Sequence, residues 1–409
     1  MIKCKIKDIV TLSTATLVPK QGVAYHLYSL PSYDEGKQRE EVMGENILSN
    51  KFIVPDKCIL FNKLNVRFKR VWRIDNTDNN KLASTEFLPL IVDEDKVDFQ
   101  YCYYLLISDS ITKYLSGQNA NTSGSHKRIS PDDFLNIDIT LPEMEEQKRI
   151  GLFLSSIDKK IDVNHAINQN LEALAKQLYD YWFVQFDFPN EEGNPYKSSG
   201  GKMVWNDKLK REIPEGWEVK PLKEICTVKD GTHDSPKPQN EGLPLITSKH
   251  LLPSGLDFKN AYLISKEDFE AINKRSKVEQ YDILFSMIGT IGNMYFVDEK
   301  QINFAIKNMA LIKTSEIEGL MYYILYNLGA VDYIRYENNA LSGSIQKFLS
   351  LDAMRNIPVL YNESILSLYN EKVRHYQELY DSNNKENKQL TKQRDELLPL
   401  LMNGQVTIE

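Results

Sequence analysis

The chain is poor in the residues that build covalently or metal-held scaffolds. Of 409 residues, four are cysteine and six are histidine. Cys4, Cys58, Cys102 and Cys226 are scattered without a CxxC spacing, so neither a zinc site nor a disulfide framework is indicated. No apolar run approaches the ~20 residues of a membrane span. The N-terminus also lacks the apolar core of a signal peptide, and a cytoplasmic protein without membrane contact is expected. Enzyme signatures are missing too. No GxxxxGK[ST] cradle for phosphates occurs, nor an H-x-E with paired cysteines, nor a His-rich cluster. Asn194-Pro195-Tyr196 lacks the second proline of the amino-methyltransferase tetrapeptide. Pro131-Asp132-Asp133, with the distant Glu94 and Lys96, is only faintly nuclease-like, and Asp132 has a twin in Asp352 that points to a turn. No catalytic residue, metal ligand or bound cofactor is therefore expected of this chain.

What is present is said twice. Ser123-Gly124-Ser125 is followed by Arg128, Ser130, Asp132 and Asn136-Ile137. Ser342-Gly343-Ser344 is followed by Lys347, Ser350, Asp352 and Asn356-Ile357. Long helical stretches follow each copy at a constant offset of 219, matching Leu154, Ile157, Ile161, Asn164, Asn168, Leu171 and Leu178 to Val373, Tyr376, Tyr380, Asn383, Asn387, Leu390 and Leu397. So long a period is a duplicated domain and not a solenoid. Two copies in one chain can mimic a two-fold dimer, and duplex DNA is read in half-sites by objects of that symmetry. The fold class expected is α+β, with two duplicated mixed α/β units separated by two long helices in a pseudo-two-fold arrangement. The predicted segments are a first globular unit at 1–141, a helix at 142–186 and a Gly/Pro/Asn/Ser-rich linker at 187–213. A second globular unit follows at 214–361 and a second helix at 362–409.

The first helix opens after Pro142 with Glu143, Glu145 and Glu146, which suit the positive end of a helix dipole. Asn362 is the N-cap expected for the second. Both carry heptad patterns: Leu154, Ile161, Asn168, Ala175 and Trp182 with Ile157, Asn164, Leu171 and Leu178, against Val373, Tyr380, Asn387, Arg394 and Leu401 with Tyr376, Asn383, Leu390 and Leu397. Pro399 is expected to end the second pattern before Leu401. Asn164, Asn168, Asn383 and Asn387 fall on the seam, where polar residues cost stability and set register. An antiparallel pair would set Asn164 on Asn387 and Asn168 on Asn383. A parallel pair also matches asparagine with asparagine; duplication favours the antiparallel choice.

The net charge of −7 does not exclude nucleic acid, because local distribution matters more than the sum. Residues 51–73 hold seven Lys or Arg against Asp56 alone, interleaved with Phe52, Phe61, Phe68 and Trp72; aromatics inward and cations outward is the expected arrangement. Candidate DNA contacts in the first unit are Lys63, Arg67, Lys69, Arg70, His126, Lys127 and Arg128. In the second they are Thr232, His233, Lys237, Lys249, His250, Gln346 and Lys347, whose hydroxyls, imidazoles and cations can donate to phosphates and base edges.

Pro214-Glu215-Gly216-Trp217-Glu218-Val219, the Gly231-Thr232-His233 turn, and Ile283-Leu284-Phe285-Ser286-Met287-Ile288-Gly289-Thr290 resemble landmarks of the DNA-specificity subunits of type I restriction–modification systems. Glu146-Gln147-Lys148-Arg149-Ile150 through Asn168-Gln169-Asn170-Leu171-Glu172 is similar to the family's central spacer helix. The first unit departs from the pattern, with no Gly-Thr-His turn near residues 14–28. The resemblance implies recognition of a bipartite double-stranded target without catalysis, the helices acting as a ruler; about 30 helical residues span ~45 Å. It also implies two methyltransferase subunits carrying S-adenosylmethionine, and motor–nuclease subunits using ATP and Mg. Methyltransferase contacts are expected on exposed helix faces and the aromatic end at 179–188. Two other readings compete, a catalytic DNA enzyme and a coiled-coil scaffold with no DNA role.

Overall fold

A computed structural model describes residues 2–118, 128–252, 255–342 and 347–408. They fall into two compact units, Met1–Asn164 with Lys385–Glu409, and His165–Asn384. In the first, Ile2–Lys5 pairs antiparallel with Asp138–Leu141. A four-stranded antiparallel sheet runs in the order Val10–Leu12, Phe87–Val92, Lys57–Asn62, Val71–Asp75. The second unit repeats this layout. Glu218–Pro221 pairs with Pro358–Tyr361, and the sheet order is Val228–Asp230, Ala310–Ile312, Ile283–Phe285, Met294–Phe296. The Asp–Asn turns repeat atom for atom. Asn136 Nδ2 donates to the Asp132 carbonyl and Asn356 Nδ2 to that of Asp352, both at 2.9 Å. Lys7 and Lys223 Nζ then donate to the amide oxygens of Asn136 and Asn356 at 3.0 and 2.8 Å.

The central strands are apolar throughout because they are covered on both faces. Strand side chains alternate, so Ile59 and Phe61 enter one core with Leu88, Leu90 and the helix Phe99–Ile107, while Cys58 and Leu60 enter another with Trp72 and Phe87. In the second unit Ile283 and Phe285 take one side and Leu284 the other. Each such burial contributes about 1.5–3 kcal/mol. The copies part company in their second sheet. The first unit has five strands, Thr16–Leu17, Lys51–Ile53, Lys81–Ala83, Ala24–Tyr28 and Glu40–Met43. The second has three, Leu263–Ile264, Leu243–Thr247 and Ala305–Lys307, with the helix Lys266–Ser276. One parallel pair survives in both, His26–Tyr28 beside Lys81–Ala83 and Leu245–Thr247 beside Ala305–Lys307.

The long helices are Met144–Tyr179 and Glu363–Met402, and the side chain of Asn362 accepts the Ile365 N–H at 3.1 Å. They run antiparallel. Within the first unit Asn164 Nδ2 donates to Asn387 Oδ1 at 2.9 Å, and Arg394 Nη1 meets Asp158 Oδ1 at 2.8 Å. Within the second, Asn383 Nδ2 donates to Asn168 Oδ1 at 2.8 Å and Asn168 Nδ2 to Asn384 Oδ1 at 2.9 Å. The hydroxyl of Tyr104 donates to the other oxygen of Asp158, tying the globular core to the seam. Gly151 belongs to the same junction: a Cβ there would lie 2.6 Å from the Asp98 carboxylate that caps Phe99–Ile107.

Three expectations are corrected. Pro399 does not end the second helix, which continues to Met402 and buries Leu401 beside Leu398. The helix stops instead in a Schellman turn, Gly404 at φ +65°, with Gln405 N–H donating to Leu400 and Gly404 N–H to Leu401. The proline sits in the last turn, where the lost donor costs a single bond. The stretch at 187–213 is a folded part of the second unit, since Phe188, Leu209 and Ile213 enter its core and Met203–Asn206 forms a hairpin with Arg211–Pro214. The aromatic end of the first helix is likewise interior: Tyr179, Trp182, Phe183 and Phe186 are buried against Tyr323, Tyr369 and Trp217. Rings this large gain most from enclosure.

Asn164 Oδ1 and Asn387 Nδ2 are buried with no partner among the described residues. Replacing Asn164 alone by alanine is therefore expected to lower stability by about 1–3 kcal/mol, through the amide it strands on Asn387. Replacing both by leucine is expected to raise the denaturation midpoint above wild type. Urea titration of the three proteins checks the order.

Candidate nucleic-acid interface

The basic segment of the first unit arises from a hairpin whose aromatics point inward, with Phe61 and Trp72 buried. Three of its seven cations are held by carboxylates remote in sequence. Arg70 makes a two-pronged contact with Asp34, Nε–Oδ1 at 2.7 Å and Nη2–Oδ2 at 2.6 Å. Lys69 pairs with Asp109 and Lys57 with Glu94. Arg73 bonds Gln100 and lies over the Tyr103 ring. Arg128 grips Glu86 with Nε–Oε2 at 2.9 Å and Nη2–Oε1 at 2.6 Å, and hydrogen bonding from Arg128 holds the Glu86 carboxyl below its ordinary range. Lys69 does the same to Asp109. Two candidates, Lys63 and Arg67, form no ion pair among the described residues; Lys63 still bears electrostatically on Glu86, and Arg67 lies over the Phe68 ring at 4.9 Å. Lys63 is brought to Arg128 through the backbone, its carbonyl accepting the Ile129 N–H at 3.0 Å. His126 and Lys127 lie outside the described residues.

In the second unit the Gly-Thr-His turn continues the strand Val228–Asp230. Gly231 is needed where the chain crosses the backbone of Ile306, since a Cβ would meet its carbonyl at 3.0 Å. Thr232 is buried and its hydroxyl accepts the Asp234 N–H at 3.1 Å, so it shapes the turn and does not face solvent. The His233 ring is exposed but held at both nitrogens, Nε2 to Asp230 Oδ2 and Nδ1 to Asn308 Oδ1, each at 2.9 Å. His250 corrects its placement among exposed contacts. It is buried, its Nδ1 accepts the Thr247 N–H at 3.0 Å, and burial followed by the Lys249 charge lowers its pKa. Lys237, Lys249 and Lys347 are exposed and form no ion pair among the described residues; Gln346 lies outside them.

Sequence reasoning missed Lys307 and Asn308. Lys307 Nζ donates to the Asp234 carbonyl at 2.8 Å and to Ser235. Asn308, at φ +52°, holds His233 and accepts the Ser248 hydroxyl on its carbonyl at 3.1 Å. These two residues join the 230s turn to the 247–250 turn, which the sequence leaves as separate loops. The one local hint is the asparagine, a residue that tolerates the left-handed conformation.

The family profile for the type I restriction modification DNA specificity domain matches residues 3–173 and again 214–361. The chain belongs to that family. The two matches cover the two structural copies, so the duplication is one of specificity domains. The chain is 26% identical over 340 residues to the type I restriction enzyme MjaIX specificity subunit of Methanocaldococcus jannaschii, covering 81% of this chain and 74% of that one. It is 23% identical over 404 residues to the HindI specificity subunit of Haemophilus influenzae, covering 85% and 86%. The crystal structure of the S subunit from M. genitalium shares the fold at a TM-score of 0.54 and 17% identity, over 98% of this chain and 95% of that one. As a family member the chain is a specificity subunit with two target-recognition domains, a role in DNA recognition and not in catalysis.

The ion pairs separate structural cations from uncommitted ones. Arg70→Ala is expected to cost about 1 kcal/mol, the discounted worth of a half-exposed bidentate pair. Arg67→Ala should leave stability within about 0.5 kcal/mol of wild type. Thermal denaturation of both variants distinguishes the two roles.

Proposed function

We propose that each globular unit reads one half of an asymmetric, split DNA target, and that the antiparallel helices set the spacing between the halves. The observation that carries this reading is where the copies agree and where they differ. The four-stranded sheet, the Asp–Asn turn and the helix seam repeat, whereas the second sheet has five strands in one copy and three in the other. Shared parts suit a common frame, and divergent parts suit two different base sequences.

Lys63, Arg67, Lys237, Lys249 and Lys347 would supply phosphate contacts, together with His126, Lys127 and Gln346. Lys69, Arg70, Arg128 and His233 would act from within their pairs, positioning neighbours. Lys307 and Asn308 join the second unit's reading surface. Two methyltransferase subunits carrying S-adenosylmethionine, and motor–nuclease subunits using ATP and Mg, are the protein partners assigned. The chain itself holds no cofactor and works in the cytoplasm. Leu152, Val163, Ile167 and Leu174 of the first long helix are exposed. Spaced by eleven, four and seven residues, they lie on one helical stripe suited to a partner helix.

Binding-site selection from random duplex DNA, with the chain co-expressed with a methyltransferase partner, is expected to yield two short half-sites at fixed spacing. Exchanging residues 1–141 for those of a relative should change only one half. A contiguous consensus would refute the two-reader reading. Arg67→Ala is expected to weaken binding similarly across sequences and to reduce the slope of log K against log salt by about 1; a titration between low and moderate NaCl measures it.

A further inference from the structure

A groove of about 850 Å³ lies in the second unit, between the loop at 314–319 and the second long helix. The helix contributes residues of one face only, at 363, 366, 367, 370, 371, 374, 377, 378 and 381. From 363 to 381 that face rises about 27 Å. Its charge is one-sided. Glu318, Glu363, Glu371, Glu378 and Asp381 line it against the single cation Arg374, which sits 3.6 Å from Glu318. A wall of this sign repels phosphate, so the groove is unsuited to the DNA assigned to the rest of the unit.

The acids alone would mean little, but buried polar atoms accompany them. Tyr322 lines the groove, is 6% exposed, and its hydroxyl has no partner among the described residues. The Asp381 carboxylate and the Tyr281 hydroxyl, also on the groove walls, both bear on that hydroxyl electrostatically. Asn370 Oδ1 on the facing helix is likewise buried and unpartnered, while its amide nitrogen is committed to the Glu318 carbonyl at 3.4 Å. Two acceptor oxygens stripped of water beside a row of carboxylates are a site for a donor that is not yet there.

Nor does the duplicated frame require these acids. At the constant offset of 219, Ser367, Glu371, Arg374, Glu378 and Asp381 correspond to Lys148, Leu152, Ser155, Lys159 and Asp162 in the first long helix. With Gln377 matching Asp158, the first copy folds with a mixed face, Lys148 and Lys159 against Asp158 and Asp162 beside Leu152, where the second has a net acidic one.

We propose that this groove receives a lysine- or arginine-bearing segment of the methyltransferase partner, one cationic side chain donating to Tyr322 Oη and Asn370 Oδ1 while its neighbours face Glu371 and Glu378. The proposal rests on the assembly with a methyltransferase described above. It adds that the two copies do not engage their partners identically, because among the described residues the matching face of the first copy carries lysines at 148 and 159 where the second has Ser367 and Glu378. Guanidinium is the better fit, since its planar fork supplies several donors at once.

The test uses the full-length chain and the purified methyltransferase subunit, with binding followed by isothermal titration at several NaCl concentrations. Glu371→Lys with Glu378→Lys is expected to weaken association at least tenfold and to flatten its salt dependence, leaving thermal stability and binding to the selected DNA unchanged. Tyr322→Phe separates recognition from folding: it removes a hydroxyl with no partner among the described residues, so melting should be unchanged or higher. Partner affinity should meanwhile fall about tenfold, as for loss of a hydrogen bond to a charged group. Wild-type affinity in both folded variants would overturn the groove assignment. Failure of the wild-type chain to bind the methyltransferase would instead overturn the assembly reading, and the assignment with it.

Discussion

The amides at the helix seam constrain everything around them. An asparagine in an apolar interface is tolerable only where another polar group meets it, so Asn164 on Asn387 and Asn168 on Asn383 and Asn384 select one alignment of the two helices. A slip by one turn would also separate Asp158 from Arg394, breaking a partly buried ion pair across the seam. Tyr104 meets the same Asp158, so the frame of the first globular unit is keyed to that alignment. In the second unit the Tyr369 hydroxyl does a similar job, donating to the Ala175 carbonyl across the helix pair at 3.3 Å. Part of the amide capacity at the seam goes unused, which is consistent with a device that serves specificity at some expense in stability.

On this frame the two recognition domains solve one packing problem with different second layers. Each central strand feeds alternate side chains into two cores, so the strand itself can change little. The second sheet touches only one of those cores and has room to vary. Divergence in a sequence-reading surface is thereby separated from the parts that hold the chain together. The basic segment of the first domain shows the same economy, since Lys57, Lys69 and Arg70 hold the domain together through Glu94, Asp109 and Asp34, as Arg128 does through Glu86.

Much of the fold was legible before any coordinates. Periodic apolar positions and matched asparagines announce long helices, and the repeated Ser-Gly-Ser, Asp and Asn-Ile signals announce a duplication, because both patterns are local or recur at a fixed offset. A linker at 187–213 is what the sequence suggests, because glycines and prolines report on turns and not on burial; Phe186 and Phe188 pack against Trp217 from 29 to 31 residues away. Pro399 argues against Leu401 in the sequence because a proline is a breaker in mid-helix, whereas in the final turn a Schellman motif absorbs it.

The sequence by itself determined the duplication, the two long helices and the seam positions of four asparagines, since these follow from period and residue type. Only the tertiary structure decided which charges remain uncommitted. Asp56 is the single acid within residues 51–73, yet the carboxylates that hold Arg70, Lys69 and Lys57 come from 36, 40 and 37 residues away. It also joined His233 to Asn308 across 75 residues and brought Tyr322 and Asn370 to the walls of one groove. Charge and hydrogen bonding act through space over a few ångströms, and a linear pattern carries no record of which distant residues folding brings that close.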